Sequence, residues 1–461
     1  MAESRPMTSR SPRSVAVALV ATTLLLAACG SAPAPSSLAS EAPPASAVAT
    51  LTPAPATPAP TPSAAAVTCD ETTTGNPDPT ADANDPNAAT YTEIEAQVSV
   101  LRGLTAQTPV ARGVFDTAGL CAYLLQSFAT DNPADLVAAT ETMYRELLLI
   151  PAGASLKQLY LDLLTSQVAG LYDDTTKHMY VVTSTGEIGP VEEITYAHEY
   201  THALQDQAFV LKSLMGEATD QGDRSLARSA MIEGDATLLM SLWAQQHLTQ
   251  AQLQEVANST SPASEAVLAS MPAILKDTLM FPYASGLNLA LGAWQDAGGA
   301  FAGVNDLFGY PPDSTEQVLH PEKLIPREAP LVVAFPDDLA ARLGTGWTVS
   351  LQDTIGELQL GIILGEGGAA APDVAAAGWG GDRIALLEGP GDGLAVVLDT
   401  TWDTEADAAE AEAALTTYAE KLNAAGRSAA VLRPEPGRVV LLVCDSPDTL
   451  GRVAGVLGLA G

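Results

Sequence analysis

His198-Glu199-Tyr200-Thr201-His202, inside the longer run Ala197–Gln207, is the stretch on which the reading of this 461-residue chain turns. On a helix, residues four apart lie one above the other, so the imidazoles of His198 and His202 can reach one metal ion. Glu199 sits about 100° further round. That offset keeps its carboxylate off the metal yet beside it, where a general base for a water nucleophile belongs. The flanking residues predict a helix: Pro190 suits a first helical position, and Glu192 and Glu193 complement the N-terminal dipole. Val191, Ile194, His198, His202 and Gln205 then share one face. The chain has five histidines in all, and random placement would produce about 0.006 matches to this pattern. A pair of core or solvated histidines is the alternative.

On the N-terminal side, Val168 to Tyr172 and His178 to Val182 flank the turn formers Asp173-Asp174-Thr175-Thr176 and predict a β-hairpin. Its outer edge near Met179 to Val182 is expected to accept an extended peptide as an added strand. His178, alone on a strand, reads as a surface residue. On the C-terminal side, a loop from Gly216 to Gly222 leads into a helix from Asp223 to about Leu248. There Glu233 shares a stripe with Leu226, Ala230, Thr237, Met240 and Ala244, and a buried carboxylate requires a partner. A metal ion is one such partner; escape to solvent or pairing with Arg228 are the others. Gly234 and Ala236 are expected to let this helix approach the first one, although Gly234 costs ~1 kcal/mol of helix propensity. Asp235 either orients a ligand imidazole from behind or is solvated.

H-E-x-x-H with a downstream glutamate on a second helix resembles the gluzincin group of zinc metallopeptidases, to which thermolysin belongs. The resemblance implies one zinc ion held by His198, His202 and Glu233, with Glu199 as catalytic base. It also implies an oxyanion donor, for which Tyr283, in Phe281-Pro282-Tyr283-Ala284-Ser285-Gly286, and His320, before Pro321, are the candidates. A buried structural role is the alternative for each. The metzincin pattern needs glycine at 205 and histidine at 208, where this chain has Gln205 and Ala208. Glu233-Gly234-Asp235 departs from thermolysin's acid, three residues, acid spacing. The run Val168-Ala-Gly-Leu-Tyr-Asp, the His198–Gln207 segment and Glu233-Gly-Asp-Ala are similar to a family of uncharacterised bacterial lipoprotein or secreted metallopeptidases, over roughly residues 92–330.

Towards the N-terminus, Arg5, Arg10 and Arg13 precede the apolar stretch Val15 to Ala28, too short for a confident membrane span. Leu26-Ala27-Ala28-Cys29-Gly30 resembles the lipobox of bacterial lipoproteins, which implies lipidation at Cys29. Residues 30–90, rich in Ala, Pro, Ser and Thr, bury too little to offset ordering and predict a disordered tether. Loss of residues 1–28 removes three arginines and Glu3 and takes the net charge from −34 to −36, which argues against nucleic acid as a partner. Of the other cysteines, Cys69 and Cys121 are the expected disulfide pair, because Cys444 falls in the apolar strand-like run Val439 to Cys444.

Thr92 to Leu101, Asp116 to Phe128, Pro133 to Leu148 and Leu156 to Leu164 carry helical spacing. Beyond about 340, Leu351 to Leu364 reads as helix, Gly378 to Asp382 as a tight turn, and Arg383 to Leu387, Leu394 to Leu398 and Arg438 to Cys444 as strands. Thr404 to Ala424 and Pro447 to Leu457 read as helices. The fold expected is α+β: a mainly helical zincin-like metallopeptidase domain over 91–338 with the hairpin before the zinc helix, then a small α+β domain over 339–461. The function expected is a zinc metallopeptidase outside the cytoplasm, anchored to a membrane through its N-terminal lipid and acting on peptides or proteins. The rival is a surface lipoprotein that keeps zinc as a structural element and binds a partner.

Overall fold

The computed structural model describes residues 15–19, 69–79, 85–183, 188–216, 220–259 and 261–459. Cys29 lies outside them. Among the described residues, no helix is long and apolar enough to cross a membrane. Residues 69–79, which composition places in the tether, belong to the fold. Cys69 is bonded to Cys121, the Tyr180 hydroxyl donates to Asp78 at 2.7 Å, and a Cβ on Gly75 would lie 2.2 Å from the Ala118 carbonyl oxygen. A covalent tie and a few specific bonds hold a polar segment that composition alone could not order. Cys444 is a free, buried thiol.

The first part of the chain contributes β1 (Val15–Leu19), α1 (Ala88–Arg102), β2 (Ala111–Phe115), α2 (Thr117–Asp131), α3 (Ala134–Glu146), α4 (Leu156–Gln167), β3 (Val168–Asp173) and β4 (His178–Val182). Caps fix the helix starts: Asp116 accepts from the Gly119 amide at 2.7 Å, and Ser155 from the Gln158 amide at 3.4 Å. The hairpin forms where expected, its turn closed by Asp173 accepting from the Thr175 and Thr176 amides. The sheet order is β1-β3-β4-β2. This corrects one expectation: the Met179–Val182 edge is not open, because β2 pairs with it in parallel, from Arg112 opposite Met179 to Phe115 opposite Val182. Ala-Arg-Gly-Val-Phe is short and lacks alternation, so nothing in its sequence announced a strand. The other edge of the hairpin, β3, pairs antiparallel with the backbone of β1.

Next come α5 (Pro190–Phe209), α6 (Gly222–His247) and α7 (Ala273–Asp296). α5 lies on the sheet across Gly170 of β3, where a Cβ would meet the Thr195 Cγ2 at 2.6 Å and the Glu199 Cγ at 3.1 Å. Tyr172, Met179 and Val181 from the strands share one core with Ile194, Tyr200 and Leu204 of α5 and Met231, Leu238 and Leu239 of α6. Gly234 serves a different neighbour from the one expected. A Cβ there would fall 2.0 Å from the carbonyl oxygen of Gly286, and one on Gly286 would fall 2.0 Å from that of Ala230. The close approach is therefore between α6 and α7, backbone to backbone. α7 also runs straight through Pro282, so Tyr283 lies mid-helix. Burial of Phe281, Leu289 and Ala290 offsets the ~3 kcal/mol that an interior proline costs.

The last part contains β5 (Thr348–Asp353), α8 (Gly356–Glu366), β6 (Trp379–Glu388), β7 (Leu394–Trp402), α9 (Glu405–Ala424), β8 (Ser428–Glu435), β9 (Arg438–Cys444) and α10 (Pro447–Val456). The strands form an antiparallel sheet ordered β5-β6-β7-β9-β8. Leu351 to Leu364 is thus strand and then helix. The chain reverses at Gly356 (φ 75°), where a Cβ would overlap Asp223. Trp379 to Asp382, expected in a turn, opens β6 with a register shift between Trp379 and Gly381. Ile384, Leu386, Val396 and Leu398 face one core, while Ala385, Leu387, Ala395 and Val397 face another. Covered on both faces, these strands read as unbroken apolar runs.

The molecule as a whole is α+β. The first of those two cores also takes in Met143, Leu147, Leu156, Leu163, Ile274 and Leu275. The boundary drawn at 338/339 is therefore not a break in packing, and the C-terminal sheet completes a core begun by α3, α4 and α7.

Candidate metal site

α5 starts at Gly189, whose amide donates to the Glu192 carboxylate at 2.9 Å. Two turns further on it buries His198, Glu199 and His202. α6 crosses behind and brings Glu233 to them. His198 Nε2 and His202 Nε2 are 3.0 Å apart, and the Glu233 Oε2 is 3.1 Å from the first and 3.2 Å from the second. Ligand atoms about 2.0–2.1 Å from one tetrahedral ion lie about 3.3 Å apart. The three atoms fit such an ion to within a few tenths of an ångström, and leave one position open.

Burial and mutual contact shift the three groups in different directions. Burial depresses His198. For His202 burial acts in the same sense, but the Glu233 carboxylate outweighs it and lifts the imidazole to about 9. Burial would raise Glu233, yet the two histidines hold it near 2. The trio shares a proton among its three groups, and a metal ion bound by the same atoms would displace it.

Behind the trio stands a chain of polar groups. His202 Nδ1 lies 2.8 Å from the Gln205 Oε1, and the Gln205 amide nitrogen donates to the Asp235 Oδ2 at 2.7 Å and the Ile232 carbonyl at 3.0 Å. With the amide oriented this way, His202 donates from Nδ1, so that loss of the proton on Nε2 would leave that lone pair facing the site. Asp235 is in turn gripped by Arg102, with Nε to Oδ1 at 2.8 Å and Nη2 to Oδ2 at 3.0 Å. Both side chains are fully buried. Asp235 thus acts on the imidazole through Gln205 rather than directly. Gln205 and Arg102 were missed as site residues. The signal for Arg102 was present: with Tyr91, Ile94 and Val98 it continues the buried stripe of α1.

Tyr283 comes from α7, its ring 6.3 Å from that of His198. Burial, then the Glu233 and Glu199 carboxylates, push its hydroxyl well above the ordinary tyrosine range, so it keeps its proton and can donate. The structure does not bring His320 to the site. Its Nε2 lies 2.8 Å from Glu357 at the junction with the C-terminal sheet, where the chain turns into the proline helix at 321. His178 is engaged by Tyr180 at 3.0 Å and Asp78 at 3.4 Å. Arg228 pairs with Asp313 at 2.9 Å and leaves Glu233 to the histidines. A second acidic trio among the described residues, Glu316, Glu328 and Asp403, surrounds the Lys323 ammonium at 2.6, 3.3 and 2.5 Å, which serves as its cation.

Residues 345–445 match a family profile described as a domain of unknown function (DUF8575). No curated protein and no solved structure matches the chain.

Proposed function

We propose that the chain is a zinc metallopeptidase of zincin type, anchored outside the cytoplasm through Cys29, which hydrolyses peptide bonds with Glu199 as general base. The observation that carries the reading is the convergence of the His198, His202 and Glu233 ligand atoms at 3.0–3.2 Å. Such a ligand set suits zinc in a site that keeps one position open. When bound, zinc supplies Lewis acidity that makes water nucleophilic at neutral pH and polarises a carbonyl. Glu199 takes the proton of the attacking water and returns it to the leaving amine. Tyr283, protonated and beside His198, donates to the oxygen on which charge develops. Glu199, buried and coupled electrostatically to His202, supports the enzyme over a site that only holds structure, which has no need of a base.

Zinc content by mass spectrometry beside peptide-cleavage rates tests this. Glu199→Gln should keep its zinc and lose about 10²–10⁴-fold in rate, whereas Glu233→Ala should lose zinc and activity together. Undiminished cleavage by the first variant would remove the catalytic assignment of Glu199, whereas bound zinc with no cleavage by the wild type would leave the zinc-bearing binding protein standing.

A further inference from the structure

A cavity of about 500 Å³ lies where the start of α7 meets the C-terminal part of the chain, bounded by α8, the corner at His320 and the short helix Pro372–Ala376. Small-ligand pockets span roughly 300–1,000 Å³. Glu357, Gly361 and Gly365 follow one another at four-residue intervals, so one stripe of α8 forms the floor. Close packing does not require either glycine. A Cβ on Gly361 would meet Ala376 at 3.6 Å and Asp373 at 3.8 Å, and one on Gly365 would meet Pro372 at 3.5 Å, all ordinary contacts. Mid-helix, Gly361 costs ~1 kcal/mol against alanine, and what the missing carbon provides is room.

Four carboxylates line the cavity, Asp277, Glu357, Glu366 and Asp373, with no lysine or arginine among the lining residues. Lys276 pairs with Asp277 at 3.5 Å, and Lys421 donates to the main-chain carbonyl of Glu366 rather than to its carboxylate. Lys323, whose charge reaches Glu357, is already held by Glu316, Glu328 and Asp403. Glu357 is the buried member. Its side chain is 5 % exposed, and its Oε1 lies 2.8 Å from His320 Nε2. Its Oε2 has no hydrogen-bond partner among the described residues, a costly state for a buried carboxylate oxygen. Asp373 Oδ1 stands over Gly361, one turn along the floor from Glu357, a rise of ~6 Å.

We infer that this cavity binds an organic cation, a guanidinium or primary ammonium on an aliphatic stem, with its head between Glu357 and Asp373 and its stem against Leu358, Ile362 and Pro372. An anion would meet only like charge. An apolar molecule would leave the Glu357 Oε2 without a donor. Among the described residues, these acids do not bring three ligand atoms close enough together for one metal ion. A guanidinium or ammonium supplies several donors to separated carboxylates, and its stem covers the apolar wall. The inference stands apart from the reading of the metal site. The cation is the same chemistry whether a peptide side chain or a free amine carries it.

Titration calorimetry on the full chain tests it with N-acetyl-arginine amide, agmatine and N-acetyl-citrulline amide, the last having the shape of the first without its charge. The arginine amide, agmatine or both should bind, and the citrulline amide should bind about tenfold more weakly or worse. Binding of the arginine amide alone would assign the cavity to a peptide side chain, and binding of agmatine alone to a free amine. Gly361→Leu, which puts a side chain into the floor, should abolish binding. Asp373→Asn changes an exposed residue, keeps the test open should Gly361→Leu fail to fold, and should weaken binding by about tenfold. No binding of either cation at millimolar concentration, equal binding of the citrulline amide, or undiminished affinity in either folded variant would overturn the inference.

Discussion

Two clusters of buried carboxylates are managed in opposite ways. At the candidate metal site Glu233 and Asp235 meet cationic or ring-nitrogen partners: Glu233 the two imidazoles, Asp235 the Arg102 guanidinium. At the junction with the C-terminal sheet, Asp223, Asp353 and Asp382 are held by neutral donors. Asp223 accepts from the Thr315 amide and hydroxyl, Asp353 from the Gly222 and Thr354 amides, and Asp382 from the Ile355 and Gly356 amides and the Trp379 indole. Burial dominates there and pushes Asp223 up to about 7 and the other two to about 6. Glu233 keeps its charge across ordinary pH, and the second cluster takes up protons within it.

The largest expected effect comes from undoing compensation at the metal site. Arg102→Leu strands Asp235 as an unpaired buried charge and should cost about 3–5 kcal/mol. Denaturant unfolding of the metal-free chain measures it, and Arg102→Leu/Asp235→Leu should recover most of the loss. A double variant as unstable as the single one would show that Asp235 does more than balance a charge. Smaller is the effect of Gln205→Leu, which cuts the link from Asp235 to His202. It should weaken zinc binding by about 10–100-fold, read by competition with a chelator. Unaltered affinity would reduce Gln205 to packing.

The smallest effect, taken per pH unit, separates the clusters by pH. A carboxyl whose folded pKa is raised binds its proton more tightly in the folded state, so its stabilising contribution is present below the unfolded value and lost as pH rises through the folded one. For the junction acids that window runs from about pH 4 to about pH 7. Stability should fall across it, each acid contributing at most about 1.4 kcal/mol per pH unit. Asp223→Asn should flatten the fall in a thermal-unfolding series. A slope unchanged in that variant would mean that Asp223 is already ionised in the folded chain.

What the sequence disclosed and what it hid follow the range of the interactions. The spacing of His198, Glu199 and His202 is local, so it could be read, and the stripe around Glu233 needed one helix only. The hairpin was legible for the same reason. Its neighbour β2 was not, since Ala111–Phe115 carries an arginine and a glycine and becomes a strand only by pairing with β4. Hence a hairpin edge that is in fact paired looked open. Gln205 and Arg102 acquire their roles from an aspartate 30 and 133 residues away, a distance no periodicity spans. Leu351 looked helical because it sits on the same apolar run as α8, and only the reversal at Gly356 separates them.

The contact of Gly234 with Gly286 has a mechanical consequence. With each missing Cβ replaced by the neighbouring helix's own main chain, α6 and α7 cannot slide past one another without collision. Glu233 precedes one glycine by a single residue and Tyr283 precedes the other by three, so ligand and hydroxyl ride on one rigid rail. Strain introduced far along α7 would therefore surface as a displaced Glu233, and the two glycines fix the spacing of the helices that carry Glu233 and Tyr283.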